Sequence, residues 1–270
     1  MRTQPTRRYP SAAASCALLL VAAMAPAPAQ EVTAEEDLVV LDTRGVITPE
    51  AQAVLDRMTA TLNGVSRFEV TARITRDEVL PFGYKLQNNE NARMWVERPN
   101  RLRLELEGDI KDRTYVYDGA KVTMFAPELN VYSSTAAPAT LGELVTVLLD
   151  AGVEMPLIDM LYHGNAGSLT EDVRVGLLVG ETEIDGVATD HLAFRQPNVD
   201  WQLWVQKGAQ ALPRKLLITT RYAVGEPQYQ AVMAWDLTPS INAKSFTFTP
   251  PESATEIPYR TQLVASGGTP

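Results

Sequence analysis

The sequence has few of the residues that carry out chemistry. It holds one cysteine, Cys16, and two histidines, His163 and His191, in 270 residues. Cys16 lies in a stretch that reads as an export leader, so the expected mature chain has no disulfide, no thiol nucleophile and no cysteine metal site. No Gly-x-Ser-x-Gly appears, and no His-x-x-x-His pair. Asp190 and His191 are neighbours in a strand pattern, where adjacent side chains point to opposite faces, so they cannot form a local dyad. These absences argue against an enzyme, a metal site or a cofactor. After the leader no second long apolar run follows, so no segment is expected to span a bilayer. The net charge is −9 and becomes more negative once the three leader arginines are removed, which makes nucleic acid a poor partner.

The leader occupies residues 1–29. Arg2, Arg7 and Arg8 form a basic start, residues 11–24 an apolar middle, and Ala27-Pro28-Ala29 a small-x-small cleavage site before Gln30. Cys16 suggests a lipid anchor, but the apolar run follows the cysteine instead of preceding it. Arg7-Arg8 suggests a twin-arginine route, although the residues after it fit poorly. The expectation is an exported protein of the periplasm, without a stable membrane anchor.

Residues 30–47 are acidic and weakly patterned, a linker or a loose strand. The main domain is expected over 48–252. Thr48-Pro49-Glu50 reads as a helix start, with an N-cap, a proline at the first helical position and an acid in the first turn. Ala51, Val54, Leu55, Met58 and Leu62 then fall on one helical stripe, ended by Asn63-Gly64. Phe68, Val70, Ala72 and Ile74 alternate with polar residues as a strand, and Pro81-Phe82-Gly83 turns the chain back.

The stretch 93–132 is the centre of the pattern. Leu102, Leu104 and Leu106 alternate with Arg101, Arg103, Glu105 and Glu107, so one face is apolar and the other charged. Pro99 joins two strands where a ladder donor is not needed. Asp118-Gly119 signals a two-residue hairpin. At Thr140 the period changes. Thr140 and Glu143 form a capping box ahead of Leu141, Leu144, Val145 and Leu148. Pro156 opens a second short helix with Leu157, Ile158, Met160 and Leu161. Both helices are more apolar than a surface helix should be, and call for burial on more than one side.

Strands resume at 174. Asp185-Gly186 turns a hairpin. Val199, Trp201, Leu203 and Val205 alternate with Asp200, Gln202 and Trp204. Gly225-Glu226-Pro227 leads into a strand over 229–235, and Phe246-Thr247-Phe248 is expected as a last short strand before a frayed tail, 253–270. The total is about ten or eleven strands, and the class is α+β, mainly antiparallel.

Two motifs point further. Trp95-Val96-Glu97-Arg98-Pro99-Asn100 resembles the Trp-Val-x-Arg-Pro-Asn of the LolA/LolB-like lipoprotein-carrier superfamily, and Phe246-Thr247-Phe248-Thr249-Pro250-Pro251 resembles its near-terminal Phe-Thr-Phe-Thr-Pro-Pro. Asp118-Gly119 followed by Ala126-Pro127 and Asn130 resembles its Asp-Gly…Pro segment. The runs Asp190–Gln196 and Asp200–Val205 look more closely like an uncharacterised family of predicted periplasmic proteins, which implies no assigned function. The superfamily resemblance implies an open half-barrel round an apolar cavity, with helices packed on its concave face as a lid. It implies a carrier or chaperone for a lipid or a lipidated protein, with an inner- or outer-membrane donor or acceptor protein as a further partner. By that resemblance Arg98 takes the position of the arginine that bonds to the lid and governs opening. The acidic segment 30–47 and the Trp201/Trp204 pair have no counterpart in the carrier pattern.

Each candidate also has a plainer role open to it. Arg98 either bonds to the lid helices or pairs with Glu97 or Asp109 on the surface. Leu144, Leu148, Leu157, Ile158 and Leu161 are either the lid face or ordinary core. Leu102, Leu104 and Leu106 are either the cavity floor or solid core. Trp201, on the apolar face of its strand, is assigned to the core and counted with the ligand-binding set. Trp204 either stacks on a sugar, caps an apolar rim or sits partly exposed without a role. An envelope-stress sensor with the same half-barrel, binding lipid or an exported peptide, is the alternative function. Regulators of that kind carry an added C-terminal domain, and this chain ends soon after Pro251.

Overall fold

The structure is a computed structural model that describes residues 45–151, 157, 158, 170 and 172–259. The leader, most of the acidic segment, the helix expected from Pro156 with Met160, Leu161 and His163, and the tail beyond 259 lie outside the described residues.

The elements run β1 (Val46–Ile47), α1 (Pro49–Gly64), β2 (Arg67–Val79), β3 (Lys85–Glu97), β4 (Arg101–Gly108), β5 (Arg113–Tyr117), β6 (Lys121–Ala126), β7 (Val131–Ala136), α2 (Leu141–Asp150), β8 (Val175–Ile184), β9 (Val187–Arg195), β10 (Val199–Gln206), β11 (Pro213–Thr220), β12 (Gln228–Asp236) and β13 (Thr255–Glu256). They form one open sheet in the order β1-β8-β9-β10-β11-β12-β2-β3-β4-β5-β6-β7-β13. The fold is the expected α+β half-barrel. Its eleven long strands, β2 to β12, pair antiparallel, and the two-residue strands β1 and β13 add parallel edges.

Local chemistry explains most boundaries. Thr48 Oγ1 accepts the Ala51 amide at 3.4 Å and Pro49 opens α1, as an N-cap and N1 proline should. All five residues of the expected stripe, Ala51, Val54, Leu55, Met58 and Leu62, are buried. Thr140 and Glu143 form the capping box at α2, with the Glu143 amide on Thr140 Oγ1 at 3.3 Å and the Thr140 amide on Glu143 Oε2 at 3.2 Å. Asp185 and Gly186 have φ of 48° and 78°, the paired positive values of a two-residue hairpin turn.

Two local expectations are corrected. The Asp118-Gly119 turn sits one residue later: the Asp118 amide donates to the Lys121 carbonyl at 3.2 Å, so Gly119 and Ala120 form the two-residue loop, and Asp118 Oδ1 accepts both the Ala120 and the Lys121 amides at 3.0 Å. Phe246-Thr247-Phe248 is not a strand. Asn242 Oδ1 accepts the Lys244 amide at 2.9 Å, and the Asn242 amide donates to Ser245 Oγ at 3.2 Å. That reciprocal cap winds Ala243–Phe246 into a 3-10 turn, the usual way short polar side chains compete with a ladder. Phe246 is buried in the turn, and Phe248 packs against Phe125 and Tyr132 with ring centroids 5.7 and 5.4 Å away. The last pairing is instead Thr255–Glu256 against Val131 and Tyr132.

The core is the concave face. Inward residues of β2 to β5 and β9 to β12 meet the apolar stripes of α1 and α2 in one continuous cluster. The outer face is charged where the alternation of β4 requires it, for example Arg103 against Glu105 at 2.7 Å.

Candidate functional site

The Trp95–Asn100 motif makes the corner between β3 and β4, and three of its residues tie that corner to different neighbours. The Arg98 amide donates to Ser66 O at 2.8 Å, and the Pro99 carbonyl accepts the Leu141 amide at 2.8 Å. Asn100 lies against the Asp118–Gly119 turn, close enough that a Cβ on Gly119 would meet Asn100 Nδ2 at 2.7 Å. The two sequence motifs therefore touch, and the corner holds the first residue of α2. Tyr117, fully buried, donates from its hydroxyl to Pro138 O at 2.6 Å and fixes the segment that leads into α2.

The Arg98 side chain is half-buried, and burial pushes its guanidinium below the ordinary value. Its Nε is buried and has no hydrogen-bond partner among the described residues. The expected surface partners are engaged elsewhere: Glu97 with Arg67 Nε at 3.1 Å, and Asp109 with the Asn89 amide at 2.8 Å.

Above the corner, α2 turns Leu141, Leu144, Val145 and Leu148 into the concave face. Leu157 and Ile158 join the same cluster, as do Leu102, Leu104 and Leu106 from β4. The described floor and lid candidates are thus buried together. Trp201 stacks on Phe194 at 3.9 Å inside that cluster. On the other helix, Arg57 of α1 reaches Asp190 Oδ2 at 2.7 Å, with Lys207 Nζ 3.6 Å from the other oxygen. Asp190 and His191 face opposite sides, as the strand alternation requires. His191 Nε2 lies 2.9 Å from Gln202 Oε1 on the outer face.

Trp204 is neither partly exposed nor open for stacking on a sugar. It is buried, with the His191 ring stacked at 4.2 Å and Lys215 Nζ 4.7 Å from its centroid. In register, His191, Trp204 and Lys215 are direct cross-strand neighbours, so both faces of the indole are occupied and neither is left for a sugar.

The concave face turns polar at one end. Glu90 follows Ala92 and Met94 on the inward side of β3, and Arg76 Nη2 lies 3.3 Å from its Oε1. Tyr115, in register with Leu104 and Met94, lies within reach of the Glu90 charge. Burial pushes its phenol up, the Arg113 charge opposes that, and the Glu90 charge adds to it. Burial likewise raises Tyr259, with Tyr115 contributing. This end carried no motif. Its only trace in the sequence is that the inward positions of β2 and β3 change from apolar to Arg76 and Glu90. Among the described residues no group of three or more His, Cys, Asp or Glu is placed to hold a metal ion, and no helix is long and apolar enough to cross a membrane.

Residues 51–259 match the model of a family described as predicted periplasmic protein, DUF2092. The chain belongs to this DUF2092 family. The description agrees with the export expected from residues 1–29. No curated protein matches the chain. Among solved structures it is similar to an uncharacterized conserved protein from Thermus thermophilus, at 15% identity and a TM-score of 0.45, over 78% of this chain and 99% of that one. It is similar to LprF from Mycobacterium bovis at 16% identity and a TM-score of 0.45, over 77% and 99%. The carrier superfamily that the motifs resemble is represented by a LolA superfamily protein from Nitrosomonas europaea, at 11% identity and a TM-score of 0.36, over 73% and 97%. At these scores no residue role is transferred from any of them. The DUF2092 match contains the Arg98-Pro99 corner, α2 and every described candidate residue.

Proposed function

We propose that this DUF2092 protein is a non-enzymatic periplasmic carrier that binds a hydrophobic ligand, a lipid or the acyl chains of a lipoprotein, between the half-barrel and its lid. The observation that carries this reading is that Leu102, Leu104 and Leu106 share one cluster with Leu144, Leu148, Leu157 and Ile158. On this reading the helix residues are the lid and the β4 leucines the floor, and an incoming chain would take the place of the helix face within the cluster. Leu161 is placed with the lid by its spacing alone.

The energetics suit uptake and release. Each buried methylene is worth about 0.8 kcal/mol, so one acyl chain offers on the order of 10 kcal/mol. Against that, the root of α2 is held by the Pro99–Leu141 and Tyr117–Pro138 bonds. Hydrogen bonds of this kind contribute about 0.5–1.5 kcal/mol each, so a chain's burial outweighs them. Arg98, whose Nε has no partner among the described residues, is the proposed third control, worth about 1.5–3 kcal/mol where a charged group finds an acceptor.

The test is native mass spectrometry of the mature protein purified gently from its own periplasm, with lipid extraction in parallel. Co-purifying acyl species, lost in Leu144→Glu and Ile158→Glu variants that remain folded, are the expected result. A clean apo mass, together with no uptake of a hydrophobic probe, would overturn the carrier. A co-purifying protein without acyl species would favour the sensor.

A further inference from the structure

We propose that the polar end of the concave face is a head-group site for an amphiphile bearing an ammonium group, with Glu90 as its anchor. This rests on the carrier reading and adds to it where the polar end of the ligand sits.

β4 stops at Gly108, opposite Glu90, while β3 runs on to Lys85. The step leaves a notch of about 340 Å³. Gly108 is required there for space. A Cβ on it would lie 2.9 Å from Glu90 Cγ, so the Glu90 side chain lies across the position that any other residue would fill. One carboxylate oxygen faces Arg76. The other, Oε2, is buried and has no hydrogen-bond partner among the described residues, on a side chain only 11% exposed. A buried carboxylate oxygen left unpaired is unfavourable, and a donor supplied by a ligand would relieve it.

Two features select the donor. The notch is lined by four carboxylates, Asp77, Glu78, Glu90 and Asp109, against two cations, Arg76 and Lys111, and with Lys85 paired to Asp77 at 2.8 Å a net negative charge of one is left. A positive head group therefore suits the local charge, and an ammonium offers both the charge and the N–H donors. The next inward row of the sheet is Ile74, Ala92 and Leu106, all buried. A cationic head in the notch would therefore stand one row from the apolar cluster, into which its chain would have to insert.

The experiment compares three twelve-carbon amphiphiles, dodecylammonium, dodecanol and dodecanoate, each below its micelle concentration, by competition against a fluorescent hydrophobic probe on the mature protein. Dodecylammonium is expected to bind about tenfold tighter than the other two. Glu90→Gln should abolish that preference and leave dodecanol binding unchanged. Gly108→Ala should reduce it by displacing the carboxylate. Glu252→Gln, the same charge change at an exposed position, should have no effect. Thermal unfolding establishes that each variant is folded. Equal binding of all three amphiphiles overturns the site and leaves the carrier reading standing. A preference that survives in Glu90→Gln reflects general attraction to an acidic protein and also overturns the site. Uptake of none of them overturns the carrier reading and the site with it.

Discussion

The carbonyl of Pro99 accepts the amide of Leu141 at 2.8 Å, so the corner between β3 and β4 holds the first residue of α2. A turn in the sheet and the root of the lid are one hydrogen-bonded unit. Tyr117 adds a side-chain bond to the same root.

Tyr117→Phe removes only the hydroxyl that reaches Pro138. The ring stays buried, so packing is kept, but the carbonyl loses a partner. The expected loss is about 1 kcal/mol. Urea unfolding should show a lower midpoint at unchanged slope. A probe that enters under α2 should also bind faster than in the parent.

Leu104 and Leu144 are both buried in the shared cluster. Leu104→Ala and Leu144→Ala should each cost about 2–5 kcal/mol, because the cavity left behind adds to the lost burial. The two should then separate when a hydrophobic ligand is added. A ligand lying under the lid fills space that Leu144→Ala vacates, so that variant should recover more of its midpoint in ligand titrations. Equal recovery in both variants would count against a chain lying under α2.

Two glycines at positive φ should differ in their tolerance of alanine. Gly186 has φ 78° and open space where a Cβ would sit, whereas Gly119 has φ 91° and Asn100 Nδ2 at 2.7 Å from that position. Gly186→Ala should cost about 1 kcal/mol from backbone strain alone. Gly119→Ala should cost about 2 kcal/mol or more, since it also pushes on the Arg98–Asn100 corner. Thermal or urea midpoints decide the ranking.

Acid should destabilise the fold through identifiable carboxylates. The hydrogen bond from Lys85 holds Asp77 below its ordinary value, with burial opposing it, and the Gln228 amide and the Lys85 charge reinforcing it. The hydrogen bond from Arg195 does the same for Asp200, with burial opposing it and the charges of Arg195 and Arg221 adding. A carboxyl whose folded value is depressed stabilises the fold above its unfolded value, and that contribution is lost as pH falls through the folded one. Stability should therefore drop below about pH 4. Asp200→Asn should flatten part of that slope in urea midpoints taken from neutral to acid pH.

Periodicity made much of the fold legible. The stripe of α1, the alternation of Leu102, Leu104 and Leu106, and the capping box at Thr140 each involve residues a few positions apart, and local geometry alone sets which way they point. The Phe246–Phe248 stretch misled because its alternation is that of a strand, while Asn242 and Ser245, just upstream, cap a helical turn instead. Trp204 misled for the opposite reason. Its neighbours in sequence are polar, but its neighbours in space are His191 and Lys215, from strands on either side.

The candidate site divides in the same way. The sequence by itself determined which residues are apolar, which stretches are helix or strand, and that an apolar helix after Thr140 interrupts the sheet, because those follow from spacing along one chain. Only the tertiary structure decided that β12 closes onto β2, that Asn100 meets Gly119, that Arg57 reaches Asp190, and that Glu90 lies across Gly108 with one oxygen unpaired among the described residues. Those are contacts between segments whose separation the chain pattern does not encode. They exist because a twisted sheet, once its register is set, brings particular side chains to one place.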